Sequence, residues 1–295
     1  MAYINLFVGS DSTINIKNNQ IVLKNDNNQE TFPLEDVDTI VVESRKSVIS
    51  TYALSEFALH NIVVFFCDEK HTPCASLLPY NTFYSQLKNF KLQTQLSVPF
   101  RKQLWQDVVK HKIQNQNECL RLCGKDEVLK DLIKQVKSDD STNVEAVAAS
   151  KYFKIMFGNM FAREQENSIN AALNYGYSIL RGVIARSIVG HGLLPFLGIN
   201  HHNILNNYNL ADDLIEVFRP IVDLCVYQNC DCAFNLSYRK VLFGLLSCDC
   251  SVNGAKYTVS YAIELYIQSF IESLEKGSNC MKFPKILELN MHGYL

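Results

Sequence analysis

The sequence predicts an α+β protein, with a small β-rich N-terminal domain over residues 1–79 and a larger all-helical domain over 80–295. Three observations lead there. Up to about residue 67, apolar residues come in short or alternating runs separated by turn formers. Around residues 73–80 the composition changes, with Pro73, Pro79 and little periodicity, which puts the domain boundary near Pro79. From Gln86 onward, apolar residues recur at helical spacing. A chain of 295 residues can hold two such units and bury a substantial core.

Taken in order, residues 4–8, 13–16, 20–23 and 39–42 are strand candidates, each a short apolar or alternating run. Gly9-Ser10-Asp11, Lys17-Asn18-Asn19 and the asparagine-rich stretch 25–28 separate them as turns of a small sheet. Residues 50–61 can form one amphipathic helix, and the β-branched and aromatic run 62–66 a buried strand. Residues 86–112 are helical in pattern, and 125–140 are a charged helix or loop ending in the break Ser138-Asp139-Asp140-Ser141-Thr142. Val144–Phe157 carries an apolar stripe of Val144, Val147, Ala148, Phe153 and Met156, with Glu145 beside it near the helix start. Ser168 can cap a helix running to about residue 189, ended by Gly190-His191-Gly192. That helix contains Gly176, which costs about 1 kcal/mol relative to alanine, so close packing or ligand approach is expected there. Residues 238–275 have the periodicity of two more helices broken at Asn253-Gly254, and Pro284 precedes a short tail.

With 47% hydrophobic and 20% charged residues, the composition is that of a soluble globular protein. The N-terminus lacks a basic segment followed by a long apolar run, and no apolar run is long enough to span a bilayer. A cytoplasmic protein with no membrane partner is expected. A net charge of −2 argues against a uniformly basic protein but leaves room for a local patch. Residues 86–112 offer one: Lys88, Lys91, Arg101, Lys102, Lys110 and Lys112, opposed only by Asp107 and interleaved with Phe90, Phe100 and Trp105. Such a run can track a phosphate backbone or can be a solvated helix face over core aromatics. The ten cysteines lack the paired knuckle spacing of structural zinc and are expected as reduced thiols, many of them buried.

Candidate chemistry concentrates in residues 198–223. A turn carries His201 and His202, and a helix begins after Asn209, which can cap it. Asp212, Asp213 and Glu216 follow at three- and four-residue steps and so share a helix face, an arrangement suited to a divalent cation. Acidic residues in a first turn also favour the helix dipole, and a histidine pair in a turn can be simply solvated. Pro220 clashes with the carbonyl of Glu216 and predicts a kink where that carboxylate projects. Together with Glu145 on a separate element, two carboxylates and an imidazole suit Mg²⁺ or Mn²⁺ at a phosphodiester.

Several runs in order resemble the integrase family of CRISPR-associated proteins, the catalytic subunit of the spacer-acquisition complex, in its type II branch. They are FCDEKHTP (66–73), EAVAASKYF (145–153), FAR (161–163), NxxLNYGY (170–177), GINH (198–201) and NLADDLIEVFRP (209–220). The likeness covers nearly the whole chain. It implies Glu145, His201 and Glu216 as ligands of Mg²⁺ or Mn²⁺, and Asp213, Asn170, Tyr175 and Arg219 as residues lining the site. Of the two histidines it selects His201, three residues after Gly198. Ala146 stands where many relatives have glycine, a change that leaves the ligand set intact.

The reaction implied is transesterification, in which a 3′-OH of a short DNA fragment attacks a phosphodiester at the edge of a CRISPR repeat. Reversal or metal-dependent nicking is implied when the product DNA or water reacts instead. The family further implies a homodimer, with dimerisation through the N-terminal domain. Two such dimers would flank a dimer of a small ferredoxin-like subunit, forming a heterohexamer on DNA. In that setting Lys88, Lys91, Arg101, Lys102, Lys110, Lys112 and Arg163 become DNA-contacting candidates. A metal-dependent nuclease acting without the partner, and a non-catalytic DNA-binding or assembly subunit, are the competing readings. Intact ligands oppose the last.

Overall fold

A computed structural model describes residues 4–26, 28–77 and 86–291. Its N-terminal part contains β1 (Ile4–Val8), β2 (Thr13–Lys17), β3 (Gln20–Lys24), β4 (Gln29–Pro33), β5 (Val37–Val42), β6 (Val48–Ile49), α1 (Thr51–Leu59), β7 (Val63–Cys67) and β8 (Pro73–Leu77). One sheet runs β1-β5-β7-β8, with the first three strands parallel and β8 antiparallel; the other runs β4-β3-β2-β6. The five expected strands and the helix are present, with Ser50 capping α1 by accepting from Ala53 N–H. β4, β6 and β8 were not anticipated: each is short or carries polar and proline residues that blur the alternation. Pro79, the expected boundary, lies outside the described residues.

Alternation along β5 and β7 divides their side chains between two cores. Ile40, Val42 and Val64 face an N-terminal core with Ile14, Ile21 and Phe57. Val41, Val63 and Phe65 join the larger core formed with the helices. Ion pairs seal the junction: Arg186 bonds Asp38 at 2.6 Å and Glu264 at 3.0 Å, and Arg239 grips Glu43 with both its Nε and Nη2.

The rest comprises α2 (Gln86–Thr94), α3 (Val98–Leu122), α4 (Lys130–Gln135), α5 (Val144–Phe157), α6 (Ser168–Gly190), α7 (Asn209–Leu214), α8 (Arg219–Gln228), α9 (Leu236–Gly244), β9 (Cys248–Val252), β10 (Ala255–Thr258), α10 (Val259–Lys276) and β11 (Pro284–Met291). It is therefore not all-helical. β10, β9 and β11 form an antiparallel sheet. Asn253-Gly254 is its hairpin turn rather than a break between helices: both residues have positive φ (52° and 82°), as a tight two-residue turn between twisted strands requires. The expected tail after Pro284 is the third strand.

Two helix caps shift by one residue. Asn167, not Ser168, caps α6 by accepting from Asn170 N–H at 2.8 Å. Asn209 lies inside α7, and its amide donates instead to the carbonyls of Phe196 (3.1 Å) and Asn203 (3.0 Å). Gly176 is where α6 and α8 touch. A Cβ there would stand 2.5 Å from Val222 Cγ1. Among the described residues, no helix is long and apolar enough to cross a membrane.

Candidate active site

Glu145 stands at the second position of α5. Asp140 caps that helix from outside, accepting from Val144 N–H and Glu145 N–H, both at 2.9 Å, so the backbone under Glu145 is fixed. Asp139, Asp140 and Asn143 all have positive φ, which the short polar side chains of Asp and Asn tolerate. Glu216 comes from a single tight turn (Ile215–Val217) between α7 and α8. Pro220 explains that turn. It removes an N–H donor that a continuous helix would need, so α7 ends at Leu214 and α8 restarts at Arg219 with proline in its first turn. The expected kink is a full interruption.

Lys112, from the middle of α3, projects between the two glutamates. Its Nζ lies 2.5 Å from Glu145 Oε1 and 2.5 Å from Glu216 Oε2. Burial opposes its charge, but Glu216 and then Glu145 outweigh burial and raise its pKa. On Glu216, burial pushes the carboxyl up, and Arg219 and Lys112 together overcome that and hold it below the usual range. Arg219 Nε lies 3.0 Å from Glu216 Oε1, and its guanidinium stacks 4.6 Å from the Tyr177 ring centroid.

His201 sits in the turn before α7. Asp213, fully buried, accepts from the N–H groups of Ile199 (2.5 Å), Asn200 (2.9 Å) and His201 (3.1 Å), and from His201 Nδ1 at 2.6 Å. One carboxylate thus organises the turn and selects the tautomer that leaves Nε2 as the free ring nitrogen. The Asp213 bond raises the His201 pKa, burial opposes it, and the charges of Asp213 and Glu216 add to it. Beneath the site, burial pushes Asp223 up to about 6 against hydrogen bonds from Tyr177 and Tyr152.

The helical face of α6 decides which of its residues reach the site. Tyr177, Asn174 and Arg181 line a cleft of about 420 Å³ together with His201, Arg163 and Arg219. Tyr175, two positions from Tyr177, points to the other side. It packs on Phe234 at 5.9 Å, and its surroundings are Cys67, Glu43 and Arg239 of the domain junction. Tyr175 is therefore not at the site, and Tyr177 is. Asn170 stands behind the cleft: it accepts from Arg163 Nη1, and its amide donates to Ala162 O and Gln165 O. Asp212 leaves the shared face expected for it and pairs with Arg181 at 2.6 Å.

The basic run divides likewise. Lys112 is 8% exposed and is no part of a solvated face. Lys88 pairs with Glu275 (2.5 Å), Lys102 with Asp139 (3.2 Å), and Lys110 approaches Asp107 (3.9 Å). Lys91 lies in the last turn of α2 on an exposed position, and Arg101 donates to His202 Nε2 at 2.7 Å. Arg181, Tyr177 and the roles of Lys112 and Asp140 were not anticipated. Lys112 was readable, because it falls three and four residues after Val109 and Val108 on the buried stripe of α3.

As they stand, no three His, Cys, Asp or Glu side chains among the described residues form a group that could hold a metal ion. The donor set nevertheless fits a hard divalent cation. Two carboxylates bracket a positive charge, now the Lys112 ammonium, and Glu216 Oε2 is buried without an aligned hydrogen bond. His201 Nε2 is left for a ligand while Nδ1 is anchored.

The family model described as CRISPR associated protein Cas1 matches residues 6–231. A CRISPR-associated endonuclease Cas1 of Neisseria meningitidis serogroup C (strain 8013) is 36% identical over the whole of both chains. Among solved structures, a casposase bound to integration product superposes with a TM-score of 0.77 at 20% identity, over 99% of this chain and 96% of that one. A Cas6-RT-Cas1–Cas2 complex gives a TM-score of 0.71 at 17% identity, over 97% of this chain and 36% of that longer one.

Proposed function

Because the chain belongs to the CRISPR-associated Cas1 family, we propose that it is a metal-dependent DNA integrase of CRISPR adaptation, joining the 3′-OH ends of short DNA fragments to the repeat array by transesterification. The observation that carries this reading is the convergence of Glu145 and Glu216 on one buried cation, beside His201 and an arginine-lined cleft. Glu145, His201 and Glu216 would hold Mg²⁺ or Mn²⁺, which supplies charge to offset that developing on the phosphoryl oxygens. The protein's own groups do the rest. Asp213 fixes the His201 ring, Asp140 fixes the start of α5, and Lys112 balances the paired glutamates. Arg163, Arg181 and Arg219 offer guanidinium donors to the phosphates of a strand entering the cleft. One phosphodiester replaces another, so the joining step needs no nucleotide hydrolysis.

The partners proposed are DNA, a second copy of this chain through the N-terminal domain, and a small ferredoxin-like adaptation subunit completing a heterohexamer. The likeness to a complex containing Cas1 and Cas2 supports the last. Lys88, Lys91, Arg101, Lys102, Lys110 and Arg163 are the proposed DNA contacts; Lys112 acts inside the site. The deciding experiment incubates protein, small subunit, a labelled fragment with free 3′-OH ends and a repeat-bearing plasmid with Mn²⁺ or EDTA. Joined product that needs metal, and that disappears with a 3′-blocked fragment, is expected. It should be abolished by Glu145→Ala, His201→Ala or Glu216→Ala. Plasmid cleavage without joining would instead favour the nuclease that the Neisseria relative's name describes.

A further inference from the structure

The turn between His201 and α7 ends in two apolar side chains that touch almost nothing: Ile204 is 96% exposed and Leu205 87%. Single exposed apolar residues are ordinary. An adjacent pair at full exposure on a braced tip is not. Asn203 and Asn206 flank the pair and clamp it from both sides. Leu205 N–H donates to Asn203 Oδ1 (3.0 Å), Asn206 N–H to Asn203 O (3.1 Å), and Asn206 Nδ2 to Asp212 Oδ2 (2.6 Å). The turn therefore presents Ile204 and Leu205 on a fixed support three and four residues from His201.

Cations stand at the base of this tip and along the adjoining cleft. Arg181 donates to Asn206 Oδ1 at 2.9 Å and also lines the cleft with His201. Arg101 bonds His202, and Arg163 is held by the amide oxygens of Asn170 and Asn174 and by the faces of Phe153 and Tyr177. Neither Arg101 nor Arg163 has a carboxylate within salt-bridge distance among the described residues. Guanidinium groups below an apolar tip complement duplex DNA, whose phosphates surround an apolar stack. Leucine and isoleucine wedges part base steps in this way.

We propose that Ile204 and Leu205 are a wedge that enters the target duplex at a base step beside the phosphodiester under attack, unstacking it so that the phosphate can settle against the His201 side of the cleft. This rests on the integrase reading and adds a recognition step to it. The test uses the full chain with its small subunit and compares wild type with an Ile204→Ser/Leu205→Ser variant. Targets are an intact repeat duplex and the same duplex with a mismatched pair at the joining step. The mismatch supplies the unstacking that the wedge would otherwise provide, so the variant should join the intact target about tenfold or more slowly and recover to within about threefold of wild type on the mismatched one. A 2-aminopurine at that step should brighten on binding wild type and stay quenched with the variant, a readout that needs no chemistry. Equal rates on the intact duplex, or a loss that the mismatch does not restore, would overturn the wedge; the latter would point to a protein partner at the tip. Brightening without joining by wild type would count against the integrase reading alone, and no brightening with wild type would count against the wedge.

Discussion

Lys112 and Asp213 show how single side chains set the electrostatics of the site. Replacing Lys112 by methionine leaves Glu145 and Glu216 facing each other with no cation between them. Loss of one partner from a buried charge cluster costs on the order of 3 kcal/mol, so Lys112→Met should lower the denaturant midpoint clearly. Mn²⁺ should restore more stability to that variant than to wild type, because the metal then replaces the missing charge; equal shifts would contradict this role for Lys112. Asp213 raises the pKa of His201 above its ordinary 6.5. The stabilisation from the protonated pair is complete below about pH 6.5 and fades as pH rises through the raised folded value. Asp213→Asn should therefore bring the imidazole titration, followed by NMR, back down toward 6.5. It should also remove that low-pH stabilisation.

Helix ends and helix faces do the positioning at the next scale. The break at Pro220 lets Glu216 leave the helical register that would have lined it up with Asp212 and Asp213. The three carboxylates consequently take three different partners: Arg181, the His201 turn and Lys112. On α6, Asn174, Tyr177 and Arg181 follow the three- and four-residue spacing of one face, and Tyr175 falls off it. Gly176 lets α6 lie against α8. Alanine there would gain about 1 kcal/mol of helix propensity. Its Cβ, however, would stand 2.5 Å from Val222, a fully buried β-branched residue that cannot swing aside, and such overpacking costs about 1–3 kcal/mol. The clash should win, with Gly176→Ala lowering the thermal midpoint; an unchanged or higher midpoint would show that the α6–α8 contact can relax.

Across the whole molecule, the N-terminal sheets and the helices are joined by shared core and by buried ion pairs. Glu43 is 3% exposed and Arg239 6%, and the guanidinium meets the carboxylate with two nitrogens. Arg239→Ala should cost on the order of 3 kcal/mol by stranding Glu43. Calorimetry should show the N-terminal part losing stability first, because its own core is the smaller. A single undivided transition at the wild-type midpoint would rule that out. The cysteines belong to this packing. Burial pushes Cys67, Cys225, Cys248 and Cys250 up to about 12, which makes them inert thiols in the interior.

The sequence by itself determined β1, β2, β3, β5 and β7 of the N-terminal sheets, α1, α5, α6 and a departure from the helix at Pro220. Each follows from alternation, helical period, a cap or a ring constraint acting over a few residues. Its ordered motifs also carried the family, and with it the proposed ligands. Tertiary structure decided the rest. Lys112 reads as one more cation in a basic run until α3 is packed against the start of α5, when its charge meets a carboxylate 33 residues away. Tyr177 displaces Tyr175 because only the packed helix has an inside and an outside. In the C-terminal sheet, Asn253-Gly254 already carries the local signal of the β9–β10 hairpin, whereas β9 and β11 are joined across an intervening helix, a pairing that neither strand's own pattern announces. Local periodicity records what a segment can become; which charges, rings and strand edges meet is fixed only when distant segments share one interior.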